Sequence, residues 1–143
     1  MSSHRSGAIA AAAAALLLVI GSAGAAAATP TTITVDSFAE ETFTTTGGVL
    51  CPSGTATTDF HHFGGGGAAG SFHLTKTLTC ADGSGTFTIR VNAATVFGSP
   101  TDQGGWAVIE GTGDYATLRG GGNLVGTYQG DGIVDLYTGS VAL

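Results

Sequence analysis

The sequence FHLTKTLTC at residues 72–80 alternates between apolar and polar side chains. In a β-strand, one face would carry the apolar side chains together with Lys76 and Cys80, and the other would carry the histidine and the threonines. Residues 86–93 (TFTIRVNA) repeat this period of two, and the intervening ADGSG contains an Asp-Gly turn signal. The segment therefore predicts a long β-hairpin with one buried face.

Six further stretches rich in Thr, Val, Ile and aromatic residues favour strands. They lie at residues 33–38, 41–45, about 55–60, 106–110, 124–129 and 133–138. Glycine-rich segments at 98–105, 120–122 and 130–132 separate some of them and are expected to be turns. Residues 61–70 contain four consecutive glycines, which hold a strand at a high entropic cost, so a mobile loop or a wide bend is expected there.

This pattern predicts an all-β fold. About eight short antiparallel strands in so short a chain indicate a barrel or a sandwich. A closed antiparallel barrel has no free edges, which would protect an exported chain rich in Thr and Val from edge-to-edge association. We therefore expect residues 29–143 to form one barrel domain.

Residues 1–28 resemble a secretory signal peptide. His4 and Arg5 form a cationic start, residues 8–20 are uninterruptedly apolar, and four alanines at 25–28 provide the small residues that a signal peptidase reads. Cleavage after Ala26 or Ala28 fits equally well, and the alternative is an uncleaved membrane anchor. The prediction is a cleaved signal helix and a secreted, extracellular protein without membrane contact after cleavage.

The charge balance of residues 29–143 is strongly acidic. Lys76, Arg90 and Arg119 face ten Asp and Glu residues, which gives −7 with His neutral. A protein that binds nucleic acid through phosphates needs clustered Lys and Arg. No nucleic-acid partner is therefore expected.

Cys51 and Cys80 are the two cysteines of the chain. Export would place them in an oxidising compartment, and their spacing matches no Cys-x-x-Cys motif. They are predicted to form one structural disulfide, the alternatives being a reactive thiol or a metal-binding pair.

A more specific pattern lies near the carboxy terminus, where Gly111-Thr112-Gly113 is followed by Tyr115 and Leu118-Arg119-Gly120. Residues 104–137 resemble the allene oxide cyclase and dirigent proteins, in which a strand ends in Gly-Thr-Gly, then an aromatic residue, a short turn and a glycine before the next strand. The resemblance implies an eight-stranded barrel, with Tyr115 as a plug at its end and glycines where other residues are disfavoured. Plant members cyclise an unstable fatty-acid epoxide or orient phenoxy radicals, through residues on other strands.

Lys76 is unusual because it belongs to an apolar row that would face the barrel interior. A buried lysine needs a counter-charge, which Glu110 or Asp135 could supply from the inward faces of their strands. These three residues, with Trp106 and Tyr137, are the candidate lining of a ligand pocket. The alternatives are that Lys76 reaches solvent or is turned outward by a bulge, and that the aromatics are core.

Asp59, His61, His62 and His73 form the set that most resembles a metal site. Adjacent histidines in a strand point to opposite faces, so His61 and His62 cannot both ligate one ion with good geometry unless the chain bends. The alternative is that they are solvated residues of a loop. No metal site and no cofactor are predicted.

The function expected from these features is binding of a small apolar ligand in the lumen of the barrel, without catalysis. The first alternative is an enzyme of the cyclase, isomerase or dirigent type that acts on an apolar, reactive substrate through Lys76 and an acid. The second is a structural role at the cell surface.

Overall fold

The computed structural model of the chain describes residues 24–143 and shows a closed barrel of eight antiparallel strands. The strands are β1 (Thr29–Ser37), β2 (Glu41–Thr46), β3 (Ser53–Gly66), β4 (Ala69–Cys80), β5 (Thr86–Val96), β6 (Thr101–Gly111), β7 (Arg119–Gln129) and β8 (Gly132–Ala142). Each pairs with its neighbours in sequence, and β1 also pairs with β8, which closes the sheet. The all-β prediction and the closed barrel are confirmed.

The predicted signal helix cannot be placed on this structure, because its apolar run at residues 8–20 lies outside the described residues. Within residues 24–143, no helix is long and apolar enough to cross a membrane.

The connections alternate between the two ends of the barrel. The β1–β2, β3–β4, β5–β6 and β7–β8 turns lie at one end, here called the open end. The other connections lie at the opposite end, here called the closed end. The two ends are built differently, and that difference positions the candidate site.

Aromatic residues and a disulfide fill the closed end. A short 3-10 helix (Gly113–Tyr115) brings the centroid of the buried Tyr115 ring to 5.5 Å from that of Phe87, and the Phe43 ring centroid lies 5.9 Å from that of Phe87. The predicted disulfide is present and ties Cys51, in the β2–β3 connection, to Cys80 at the end of β4. The core continues along the barrel with buried aliphatic side chains, among them Ile33, Val35, Leu78, Ile89 and Val141.

The prediction of a loop at residues 61–70 is wrong. Strand β3 continues to Gly66 and β4 begins at Ala69, so that only a two-residue turn separates them. Gly65 pairs with Gly70, and a Cβ atom added to Gly65 would lie 2.8 Å from the Cα of Gly70. The glycines allow the two backbones to approach closely, and the continuous ladder satisfies their hydrogen bonds.

The glycines at 98–105 and 120–122 are likewise largely strand residues and not turns. Gly104 and Gly105 belong to β6, and Gly122 pairs with Trp106 on one side and Gly139 on the other. A Cβ atom on Gly122 would collide with the carbonyl of Thr138. The expected turn at 130–132 does join β7 to β8, with Gly130 at a positive φ of 58°.

Candidate functional site

A cavity of about 350 Å³ opens into the barrel from its open end. The apolar residues that line it, here called the apolar wall, are Phe60, Phe72, Leu74, Val91, Ala93, Leu124 and Ile133. Its polar lining consists of Ser37, Glu41, Lys76, Asp102, Tyr128, Asp135 and Tyr137. The lumen of a small barrel can be filled completely by its own side chains. Here the side chains leave the lumen unfilled near the open end.

Lys76 lies in this cavity because residues of β4 alternate between the interior and the exterior. Its side chain is buried, and its Nζ lies 3.1 Å from Glu41 Oε1 and 3.7 Å from Asp135 Oδ2. Nζ also donates a hydrogen bond of 2.7 Å to Thr58 Oγ1, which in turn donates to the Glu41 carboxylate. Lys76 thus has both counter-charges and a hydrogen-bond acceptor inside the barrel, which offset its loss of hydration.

Asp135 is the sequence-predicted acid that meets Lys76. Burial raises the pKa of this carboxyl above its ordinary value, and the opposing effects of Lys76 and of a hydrogen bond donated by the Tyr137 hydroxyl do not fully offset it. Burial, followed by the neighbouring Asp135 charge, also raises the pKa of Tyr137 well above its usual value. The phenol therefore remains a hydrogen-bond donor at neutral pH.

Glu41 is a member of the site that the sequence analysis missed. It is the first residue of β2 and shares the inward face with Phe43, so the alternation did contain the signal. Partial burial would raise its pKa, but the hydrogen bond from Thr58 and the charge of Lys76 outweigh burial and lower it. Glu41 is the ionised partner of Lys76.

Asp102 is the second residue that the sequence analysis missed, because residues 98–105 were expected to be a turn. It is 7% exposed and lies near the start of β6, on the same face as Trp106. Its Oδ2 accepts a hydrogen bond of 3.3 Å from the Tyr128 hydroxyl, whereas its Oδ1 is buried without a hydrogen-bond partner among the described residues.

Glu110, a predicted partner of Lys76, is instead exposed on the outside of the barrel. Thr88 pairs with Glu110, but the next residue Ile89 pairs with Val108, so Ile109 is an extra residue in β6. This β-bulge breaks the alternation after Val108 and turns Glu110 away from the lumen.

Trp106 is buried but does not line the cavity. Its Nε1 donates to the Thr138 carbonyl at 3.3 Å, and its ring packs edge-on against Tyr137, with 6.2 Å between ring centroids. The structure therefore places Trp106 in the core and Tyr137 between the core and the cavity.

The motif residues lie at the closed end, away from the cavity. Gly111 ends β6, and a Cβ atom there would collide with the carbonyl of Tyr115. Gly113 adopts a positive φ of 59°, and Gly120 one of 139°. The motif thus shapes the closed end. Thr112 connects the motif to β5, because its hydroxyl is hydrogen-bonded to the backbone N–H and the hydroxyl of Thr86.

His61, His62 and His73 lie on the outer surface of β3 and β4. The expectation that His61 and His62 point to opposite faces is wrong, because a β-bulge at His61 interrupts the alternation of β3. His61 Nε2 lies 3.0 Å from Thr75 Oγ1, and His73 Nδ1 lies 2.6 Å from Asn92 Oδ1. Within the described part of the chain, no three His, Cys, Asp or Glu side chains are grouped so that they could hold a metal ion.

Comparisons of the chain with protein-family models, with curated proteins and with solved structures found no match. Its function is therefore inferred from the cavity and from the side chains that surround it.

Proposed function

We propose that this chain is a secreted, non-enzymatic binding protein whose barrel holds one small, mainly apolar ligand. The cavity at the open end carries the proposal. Its volume of about 350 Å³ is within the range of small-molecule sites, roughly 300–1,000 Å³. An apolar wall with a few convergent polar groups is typical of such sites, the wall providing affinity and the polar groups orientation.

Exposed aromatic side chains at the open end support this function. Phe38, Phe60, Phe63, Phe97 and Tyr128 are each between 44% and 67% exposed. Phe60 and Tyr128 line the cavity, whereas Phe38, Phe63 and Phe97 lie in the turns of that end or close to them. Phenylalanines at the mouth of an apolar cavity favour the entry of apolar molecules from water, and exposed apolar surface of this kind often marks a binding site.

Two features support export. The apolar run at residues 8–20 ends in small residues that suit processing by a signal peptidase. The disulfide between Cys51 and Cys80 is of the kind that persists in oxidising compartments.

The test uses the neutral fluorescent probe N-phenyl-1-naphthylamine. The probe should bind the wild-type protein with increased fluorescence. Ala93→Phe should weaken binding at least about tenfold, since Ala93 lines the cavity and a phenyl ring there would occupy it. Ala94→Phe is the matched control, because the adjacent Ala94 is exposed on the outer face.

Equal binding by both variants would place the probe outside the lumen and contradict the proposal, as would no binding by the wild type. Thermal unfolding of each variant shows whether the barrel has formed.

A second candidate function is an isomerase or cyclase, which would extend the resemblance to the allene oxide cyclase and dirigent proteins from the motif to the activity. The buried Lys76, held between Glu41 and Asp135, favours it, because perturbed charged groups in a cavity are common at catalytic sites. An unstable fatty-acid epoxide, generated in the assay, should then cyclise to one enantiomer with the wild-type protein and lose this bias with Glu41→Gln. A racemic product with the wild type would contradict catalysis.

A further inference from the structure

Asp102 has an unused hydrogen-bonding capacity inside the cavity. The residue is more than nine-tenths buried, yet one carboxylate oxygen has no partner among residues 24–143. A buried carboxylate oxygen without a donor costs the free energy of its lost hydration. Because Asp102 lines the cavity, a ligand could supply the missing donor.

The charges around the cavity are also unbalanced. The carboxylates of Glu41, Asp102 and Asp135 line it, and Lys76 is the cation among its lining residues. The ion pairs of Lys76 are with Glu41 and Asp135, and no cationic side chain in the described range lies within 4.0 Å of Asp102. When all three carboxylates are ionised, the cavity has an excess of two negative charges, which favours a positively charged occupant.

Asp102 and Asp135 converge over a glycine. Strand pairing places Gly126 of β7 between them, with Asp102 on β6 and Asp135 on β8. A Cβ atom added to Gly126 would lie 2.8 Å from Asp135 Oδ1 and would collide with Asp102 Oδ1. Both oxygens, together with the end of the Ile133 side chain, therefore occupy the space that a side chain at residue 126 would fill, and the glycine lets the two carboxylates lie close together.

Aromatic rings border the same part of the cavity. Tyr128 donates to Asp102, Tyr137 donates to Asp135, and Phe72 lies in the apolar wall. Carboxylates combined with aromatic faces suit an organic ammonium group, which is attracted to both.

We propose that the ligand is an amphiphilic amine whose ammonium group binds at Asp102, while its apolar part lies along Leu74, Val91 and Leu124. This inference rests on the proposed function and names the chemical class of ligand. Asp102 would then be the residue that determines specificity, and Lys76 would stay paired with Glu41 and Asp135.

The test compares three ligands with the same chain length: octylamine, 1-octanol and octanoate. Each is titrated at pH 7 against the complex of the protein with N-phenyl-1-naphthylamine. With the wild type, octylamine should displace the probe at a concentration at least about tenfold lower than 1-octanol, because a charge-assisted hydrogen bond replaces a neutral one. Octanoate should be the weakest of the three.

Asp102→Asn should reduce the affinity ratio of octylamine to 1-octanol to about one. Asp114→Asn is the matched control, since it removes the same charge from an exposed position at the closed end and should leave the ratio as in the wild type. The use of a ratio cancels any general change in the shape of the cavity.

The outcomes separate this inference from the proposed function. If 1-octanol displaces the probe as well as octylamine does, or if Asp102→Asn keeps the preference for the amine, the ammonium site is refuted and the apolar binding function stands. If the probe itself fails to bind the wild type, both are refuted.

Discussion

Replacement of Lys76 by Met should destabilise the barrel strongly. Met keeps most of the apolar stem of the side chain but removes the charge that lies between Glu41 and Asp135. Among the described residues that line the cavity, Lys76 has no second cation beside it. The variant would therefore leave buried carboxylates without a counter-charge.

The size of the effect follows from the burial of the partners. Removing one member of a buried ion pair costs about 3–5 kcal/mol. The side chain of Asp135 is 9% exposed and should bear most of this cost, whereas that of Glu41 is 24% exposed and keeps partial hydration. We expect a loss of about 3 kcal/mol in the free energy of unfolding at pH 7, a large part of the 5–15 kcal/mol typical of a domain.

Urea denaturation at pH 7 measures this loss. Arg90→Met is the control, because Arg90 is exposed on the outer face of β5 and its replacement should change stability by less than about 0.5 kcal/mol. Adding Asp135→Asn to Lys76→Met should recover at least half of the loss, since it removes the charge left unpaired. A Lys76→Met variant within about 1 kcal/mol of the wild type would refute the reasoning.

The same experiment has a defined pH dependence. The folded state holds the pKa of Glu41 below the ordinary value of a glutamate, in part through Lys76. Its contribution to stability is therefore complete at pH values above that ordinary pKa and is lost as the pH falls through the folded pKa. The difference between wild type and Lys76→Met should shrink toward acidic pH, where the carboxylates are protonated in both proteins. A difference that stays constant from pH 7 to pH 3 would show that the destabilisation does not come from unpaired charge.

Two further predictions concern the frame of the barrel. Replacing Cys51 and Cys80 together by Ser should lower the free energy of unfolding by about 3–4 kcal/mol, since the disulfide closes a loop with a sequence separation of 29 residues. Equal urea midpoints for the wild type and the double variant would exclude this contribution. Gly122→Ala should destabilise the barrel by more than about 1 kcal/mol, because the added Cβ collides with the backbone of β8. Gly66→Ala should be neutral or stabilising, because the space around Gly66 is open. Thermal melts that rank the two variants in the opposite order would contradict the packing described.

The strands could be predicted from the sequence because apolar and polar residues alternate in them. Residues 72–80 and 86–93 lie within β4 and β5, and each of the other six predicted strands overlaps an observed one. The lengths of the strands could not be predicted where glycine dominates. Gly64–Gly66 and Gly120–Gly122 pair in the ladder because backbones approach each other closely there, which is a tertiary effect without a local signal.

The candidate site could be predicted in part, for the same physical reasons. The interior position of Lys76 and its pairing with Asp135 follow from regular alternation in β4 and β8. Glu110 was wrongly placed because a bulge at Ile109 interrupts the period of two, and bulges have no reliable sequence signature. Asp102 was missed because its strand begins within a segment that resembles a turn.

The most direct test of the central claim, that the open end of the barrel holds an apolar ligand, is a crystal structure of the protein grown with 1-octanol. The account predicts an ordered alkyl chain between Leu74, Val91 and Leu124, with its hydroxyl group directed toward Asp102. A lumen closed by inward rotation of Phe60 and Phe72, with no room for the ligand, would contradict it.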